Sequence, residues 1–178
     1  MKFDVPAGKV GIFISGGLDS AVLYHLILKE NKNVIPLLML KNNEQYNRAW
    51  AVIQYLQKLH NTHSEPVLLR NKDIRPAIRE SIGLGFGLMY LGVIKELAEF
   101  LIDWEPNNFS DSEWVVGPFK DLDKSQIVQL AIDHDVEHLF LITHSCAEQA
   151  FGRCNHCNRC RERSWGFNQL GLTDPGVM

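Results

Sequence analysis

The chain has no cysteine before Cys146 and none after Cys160. A disulfide framework would spread its cysteines through a small secreted fold, and this clustering in a chain without an export signal points to a metal instead. The N-terminus, MKFDVPAGKV, lacks an apolar signal-peptide core, so export is not expected and a reducing, cytoplasmic setting is. Long hydrophobic runs are also missing. The longest, Ile82 to Ile94 between Glu80 and Lys95, falls short of the ~20 residues that span a bilayer, and it reads as a buried helix. There is no basic excess: the net charge is -3 and the pI about 6.1. Dedicated duplex binders show a basic stripe, so nucleic acid is not an expected partner. The four arginines Arg153, Arg159, Arg161 and Arg163 read as a solvated helix face. No internal repeat or low-complexity stretch is present.

What remains, 46% hydrophobic and 22% charged residues over 178 positions, suits one globular domain covering 1–178. Lys9 to Ile14 is an apolar, β-branched strand that ends in Ser15-Gly16-Gly17. Ala21 to Lys29 has helical spacing, and Val34 to Leu40 is apolar throughout, as a strand covered on both faces would be. Glu44 to His60 reads as a helix burying Trp50, Ile53, Leu56 and Leu59, and Pro66 to Leu69 as a short strand. Pro76 to Leu101 reads as helical, although Gly83, Gly85, Gly87 and Gly92 imply a break or very close packing. Pro106 to Ser112 is a loop and Trp114 to Val116 a strand. Asp123 and Gln126 form a capping box that starts a helix over Ile127 to Asp135. A last helix runs from about Asn158 to Leu170. This alternation predicts a doubly wound α/β fold with a mainly parallel sheet.

Ser15-Gly16-Gly17-Leu18-Asp19-Ser20 sits between the first strand and the first helix. Glycines there let backbone N–H groups approach an anion, and the helix start adds unpaired donors and a positive dipole end. The Ser15 and Ser20 hydroxyls can bond a phosphate. Asp19 fits a helix cap or a ligand for a Mg²⁺ that bridges phosphates. The motif is neither a Walker A loop nor a Gly-x-Gly-x-x-Gly turn, which removes P-loop kinases and dinucleotide dehydrogenases.

The six residues resemble the signature of the PP-loop ATP pyrophosphatases. A second stretch, Pro118 to Ile127, resembles that superfamily's later strand-to-helix motif, in which a lysine at the helix start lies near the nucleotide. The resemblance implies that Ser15, Gly16, Gly17, Leu18, Asp19, Ser20 and Lys124 bind ATP with Mg²⁺, and that Asp19 and Lys124 serve catalysis.

Cys146-x7-Cys154-x2-Cys157-x2-Cys160 contains every cysteine of the chain. Four thiolates in a short loop suit a closed, structural Zn²⁺ site. A bacterial ferredoxin run would carry a fourth cysteine four positions after Cys160, where Ser164 stands, so zinc is preferred over iron–sulfur. His144 and His156 are the alternative ligands, read here as bystanders or as donors behind the thiolates.

The tail from Thr143 through the cysteines to Arg163, Gly166-Phe167 and Gly171 to Pro175 is similar to the C-terminus of the 7-cyano-7-deazaguanine synthase (QueC) family. The resemblance is dense over 9–30 and 114–175, with 143–175 as the zinc-binding tail. It departs from the family at Leu40 to Tyr46, near Arg79 to Gly87, and over Asp103 to Glu113, which is shorter. The family implies an ATP-dependent ligase that activates a 7-carboxy-7-deazaguanine-type carboxylate for capture by ammonia. It often forms homodimers and is not membrane-bound. The departures leave open a different acceptor (a nucleic-acid base or a protein) or a non-catalytic nucleotide-binding role.

Overall fold

A computed structural model describes residues 3, 8–30, 33–39, 43–97, 100, 110–149 and 152–177. Its elements run β1 (Lys9–Phe13), α1 (Leu18–Glu30), β2 (Ile35–Met39), α2 (Asn43–Leu59), β3 (Val67–Leu69) and α3 (Ile74–Gly83). They continue with β4 (Phe86–Tyr90), β5 (Val115–Val116), α4 (Lys124–Asp133), α5 (Leu139–Ile142), α6 (Asn158–Gln169) and a 3-10 turn, Pro175–Val177. The strands form one five-stranded sheet in the order β3-β2-β1-β4-β5, with every pair parallel. The fold is doubly wound α/β, as the alternation of apolar runs predicts. The strand order reverses between β1 and β4, and in open α/β sheets ligands bind in the crevice at that switch point.

Two apolar layers enclose the sheet. On one side Ile12, Leu38 and Tyr90 pack against α1, α2 and α4 through Leu23, Ile27, Ile53 and Ile127. On the other, Phe13, Leu37, Phe86 and Met89 pack against Ala77 of α3. Helix α1 is buried almost all round, from Leu18 to Leu28, as a helix sandwiched between sheet and neighbouring helices must be.

Three expectations are corrected. The segment read as helix from Pro76 to Leu101 is helix only to Gly83, and Phe86–Tyr90 is a central strand paired with both β1 and β5. Gly85, at φ 84°, turns the chain out of α3. A short apolar run cannot be assigned to helix or strand by periodicity, and here the glycine decided it. In α2, Leu59 is half exposed and Trp50 only partly buried, and the buried face is Ala49, Val52, Ile53 and Leu56. Of the four arginines, Arg159 and Arg161 are exposed as expected, and Arg153 and Arg163 are not part of a solvated face. Arg163 is fully buried, and the Arg153 side chain is 3% exposed. Both pair with buried Asp174, which ties α6 to the C-terminal turn. Leu40 of the expected second strand and residues 106–109 of the expected loop lie outside the described residues.

Candidate active site and cysteine cluster

The chain leaves β1 at Ile14 and enters α1 through Ser15–Gly17. Gly16 has φ 82°, and a Cβ on it would fall 2.9 Å from the Arg48 Cβ and 3.0 Å from the Ala49 backbone nitrogen. Glycine is therefore required for both conformation and space. The turn is braced by serines. Ser15 Oγ lies 3.1 Å from Ser20 Oγ and accepts from the Gly17 N–H at 3.2 Å, and Ser20 Oγ donates to the Gly17 carbonyl at 3.2 Å. Leu18 is fully buried and anchors the start of α1 in the core. Asp19 stands in the first turn of the helix, not at its cap.

Lys124 opens α4 on the far side of the switch point. The capping box forms as expected: Asp123 accepts from the Ser125 and Gln126 N–H groups, and the Gln126 side chain accepts from the Asp123 N–H. This cap directs the Lys124 side chain inward, where it is 3% exposed. Its Nζ is 2.5 Å from Asp19 Oδ1 and 3.7 Å from Glu162 Oε2. Two motifs 105 residues apart in sequence thus meet in one ion pair. A cleft of about 560 Å³ opens beside it, lined by Ser15, Gly17, Asp19, Arg48, Lys124 and His144 among others.

Arg48, Glu162 and Gly92 were not singled out as site residues by the sequence, and His144 only as an alternative metal ligand. Arg48 Nη1 donates to His144 Nδ1 at 2.7 Å, and His144 Nε2 lies 2.7 Å from the Gly152 carbonyl, which fixes the proton on Nε2. Burial and then the Arg48 charge lower the His144 pKa, so the ring is neutral. The His144 N–H also donates to the Gly16 carbonyl at 2.9 Å. His144 is therefore a tie between the cysteine segment and the Ser15–Ser20 turn, and not a metal ligand. Glu162 is 4% exposed, and burial raises its carboxyl pKa against the pull of Lys124. Such long-range partners leave no local sequence signature.

All four cysteines converge, with their sulfurs within 4.8 Å of one another. Cys154 and Cys160 sulfurs are 4.0 Å apart, far beyond a disulfide length, and all four thiols are free. Tetrahedral ligands at the usual Zn–S length of about 2.3 Å sit about 3.8 Å apart, so the donor set fits zinc with little adjustment. Backbone N–H groups of Gln149 and Cys157 already point at the Cys146 and Cys154 sulfurs, at 3.3 and 3.2 Å. These donors favour thiolates. His156 spends its ring nitrogens on other partners, Nδ1 against the Cys154 carbonyl and Nε2 2.7 Å from Glu148, although it stays within 4.8 Å of the Cys154 sulfur.

The sheet order, with the Ser15–Ser20 turn at its switch point and Lys124 opposite it, makes a doubly wound, all-parallel α/β fold. The NMN synthetase structure from Francisella tularensis shares that fold, with a TM-score of 0.55 and 14% identity over 94% of this chain and 79% of that one. Within that class the chain is similar to the 7-cyano-7-deazaguanine synthase family, and the profile of "Queuosine biosynthesis protein QueC" matches residues 105–171. The 7-cyano-7-deazaguanine synthase of Aliarcobacter butzleri is 33% identical over 104 residues, 51% of this chain and 45% of that protein. That of Paramagnetospirillum magneticum is 40% identical over 60 residues, 33% of this chain and 26% of that protein. The matches thus span less than half the length of these relatives. Among the described residues no helix is long and apolar enough to cross a membrane.

Proposed function

We propose that this chain is an ATP-dependent, adenylating C–N ligase working as one PP-loop domain. The observation that carries the reading is the Lys124–Asp19 contact, which brings both nucleotide motifs to one cleft at the switch point. In this reading the Gly16–Gly17 backbone and the Ser15 and Ser20 hydroxyls hold the phosphates of ATP, and Asp19 holds the accompanying Mg²⁺. Lys124 offsets charge that builds on the leaving pyrophosphate. A substrate carboxylate attacks the α-phosphorus, the bond to the bridging oxygen breaks, and pyrophosphate departs. Ammonia then attacks the acyl adenylate and displaces AMP, leaving an amide. No protein nucleophile is needed, which agrees with four thiols committed to a metal. The zinc, when bound, supplies folding energy and a rigid base for α6, with no open position for chemistry.

The acceptor proposed is a 7-carboxy-7-deazaguanine-type carboxylate; a second ATP would adenylate the amide oxygen, which then leaves with AMP as the nitrogen loses its protons, giving the nitrile. The similarity of residues 105–171 to the QueC family supports it. A different acceptor is the second reading, favoured by the departures from the family pattern at Leu40 to Tyr46, near Arg79 to Gly87 and over Asp103 to Glu113. A nucleic-acid acceptor gains little support from the arginines, since Arg153 and Arg163 are buried in ion pairs with Asp174 and only Arg159, itself paired with Glu96, and Arg161 are exposed. Incubation with ATP, Mg²⁺, ammonium and 7-carboxy-7-deazaguanine tests the proposal. AMP, pyrophosphate and an amide or nitrile product are expected. ADP and inorganic phosphate would overturn the adenylation, and AMP formation only with another acceptor would move the reading to the second form.

A further inference from the structure

We infer that Glu162 is a positioning residue for Lys124, through which the helix that grows out of the cysteine cluster sets the Lys124–Asp19 pair. The inference rests on the reading of Lys124 as a phosphate-facing residue. Helix α6 starts directly after Cys157 and carries Cys160 in its first turn. Residues four apart lie on one helix face, so Glu162 and Gly166 present together toward α4. Gly166 meets the lysine stem: a Cβ there would be 2.5 Å from Lys124 Cγ and 2.9 Å from its carbonyl carbon. One turn earlier, Glu162 Oε2 stands 3.7 Å from Lys124 Nζ. The stem is therefore walled by Gly166, and the head is held between two carboxylates.

A lysine is a point charge on a flexible four-carbon stem, and its placement depends on what confines it. Asp19 confines the Lys124 head from one side only, and an anion at the Ser15–Ser20 turn would compete with Asp19 for the ammonium. Glu162 approaches from α6, independently of that turn. It is itself held by Arg159, with Nη1 3.8 Å from Glu162 and Nη2 3.3 Å from Glu96. Burying a carboxylate at 4% exposure is costly, and a buried ion pair is a poor source of stability against apolar packing. Its value here lies in the fixed location of the ammonium beside the cleft.

The test is Glu162→Gln in the full chain, a change that keeps shape and removes charge. Three things are measured: kcat for pyrophosphate release, melting temperature with zinc content, and the order parameter of the Lys124 ammonium in 15N-lysine-labelled protein. Positioning predicts a fall in kcat of about tenfold or more. ATP KM should change much less, the ammonium should become more mobile, and melting and zinc content should stay parental. A parental kcat, an unchanged ammonium order parameter, or a kcat loss that merely follows lost zinc or lowered melting each overturns it. If the parent releases no pyrophosphate, the adenylation reading has failed instead. The ammonium spectrum then decides the positioning alone, increased mobility supporting it and an unchanged signal overturning it.

Discussion

Gly92 lies directly against the backbone of Ser20: a Cβ on Gly92 would fall 2.7 Å from the Ser20 nitrogen and 2.8 Å from its Cα. The segment after β4 thus closes on the first turn of α1, and it is the absence of a side chain at Gly92 that lets the two sides of the switch point touch.

Gly92→Ala should therefore damage both folding and the site. The clashing atoms are backbone, which cannot rotate away, and overpacking of this kind costs about 1–3 kcal/mol. At about 2–4 °C per kcal/mol for a chain this long, melting should fall by several degrees. ATP affinity, read by calorimetry, should fall with it. An alanine variant with parental melting and affinity would show that the two segments do not meet this closely.

The two glycines of the Ser15–Ser20 turn should separate. Gly16→Ala places a methyl against Arg48 and Ala49 in a left-handed conformation, so melting temperature should drop. Gly17 faces the cleft, and a Cβ there would approach only Ser15 Oγ at 3.3 Å and the His144 carbonyl at 3.8 Å. Gly17→Ala should melt close to the parent yet bind ATP more weakly, because the methyl stands where the phosphates are placed. Equal ATP affinity for Gly17→Ala and the parent would remove the phosphates from this turn.

Stability should weaken in mild acid through His25. Its ring is 4% exposed, its Nδ1 lies 3.0 Å from His60 Nε2, and its own Nε2 is buried without a partner. Burial first, then the neighbouring charges of His60, Lys29 and His134, lower its pKa from 6.5 to about 4. The depressed pKa means the folded state favours neutral imidazole. That contribution is complete above pH 6.5 and is lost as pH falls toward 4, because the unfolded chain takes up the proton first. Between pH 7.5 and 5 the loss is about 2 kcal/mol. Denaturant titrations of the parent and His25→Gln at both pH values test it. The same acid loss in both proteins would acquit His25.

These two sets of residues also mark what sequence could and could not reveal. The Ser15–Ser20 turn, the Asp123–Gln126 capping box and the four cysteines were legible because each is a local pattern whose chemistry is complete within a few residues. β4 was not, since FGLMY is apolar on both faces and looks the same in a buried helix. Arg163 was misread for a related reason. Its charge suggested solvent, while its partners Asp174, Thr143 and the Phe140 carbonyl lie 11, 20 and 23 residues away. Glu162 and His144 owe their roles to contacts across the fold, which one sequence without its coordinates does not display.

Purified protein should carry one equivalent of zinc, and Cys154→Ser or Cys157→Ser should make it poorly soluble. The four sulfurs converge at the root of α6, whose Glu162, Arg163 and Gly166 all pack inward. Metal binding at such a site is folding energy, so its loss should free the helix and expose that face. Elemental analysis is the check. A zinc-free soluble protein, or a brown one containing iron, would sink the assignment.

Asp19→Asn gives the cleanest test of catalysis, and Lys124→Ala a less clean one because Lys124 is buried. In the structure its side chain is 3% exposed, and removing it would leave Glu162 buried without its nearest cation. Breaking a buried pair in this way costs about 3–5 kcal/mol, so Lys124→Ala should lose stability and turnover together. Asp19 is different. Its side chain is 21% exposed, Asn keeps its shape, and Lys124 retains Glu162 on the other side. The folding cost should stay near the ~0.3–1 kcal/mol that a carboxylate contributes at a helix start. A lost contact to the metal or phosphates in the transition state, by contrast, removes several kcal/mol of barrier lowering, about 100-fold or more in rate. The measurement is paired, melting temperature and pyrophosphate release for the parent and both variants. Near-parental melting with a collapsed rate for Asp19→Asn, beside a destabilised Lys124→Ala, is the expected pattern. Asp19→Asn turning over at the parental rate would take Asp19 out of the chemistry, and the Lys124–Asp19 pair would then be a structural clasp between α1 and α4.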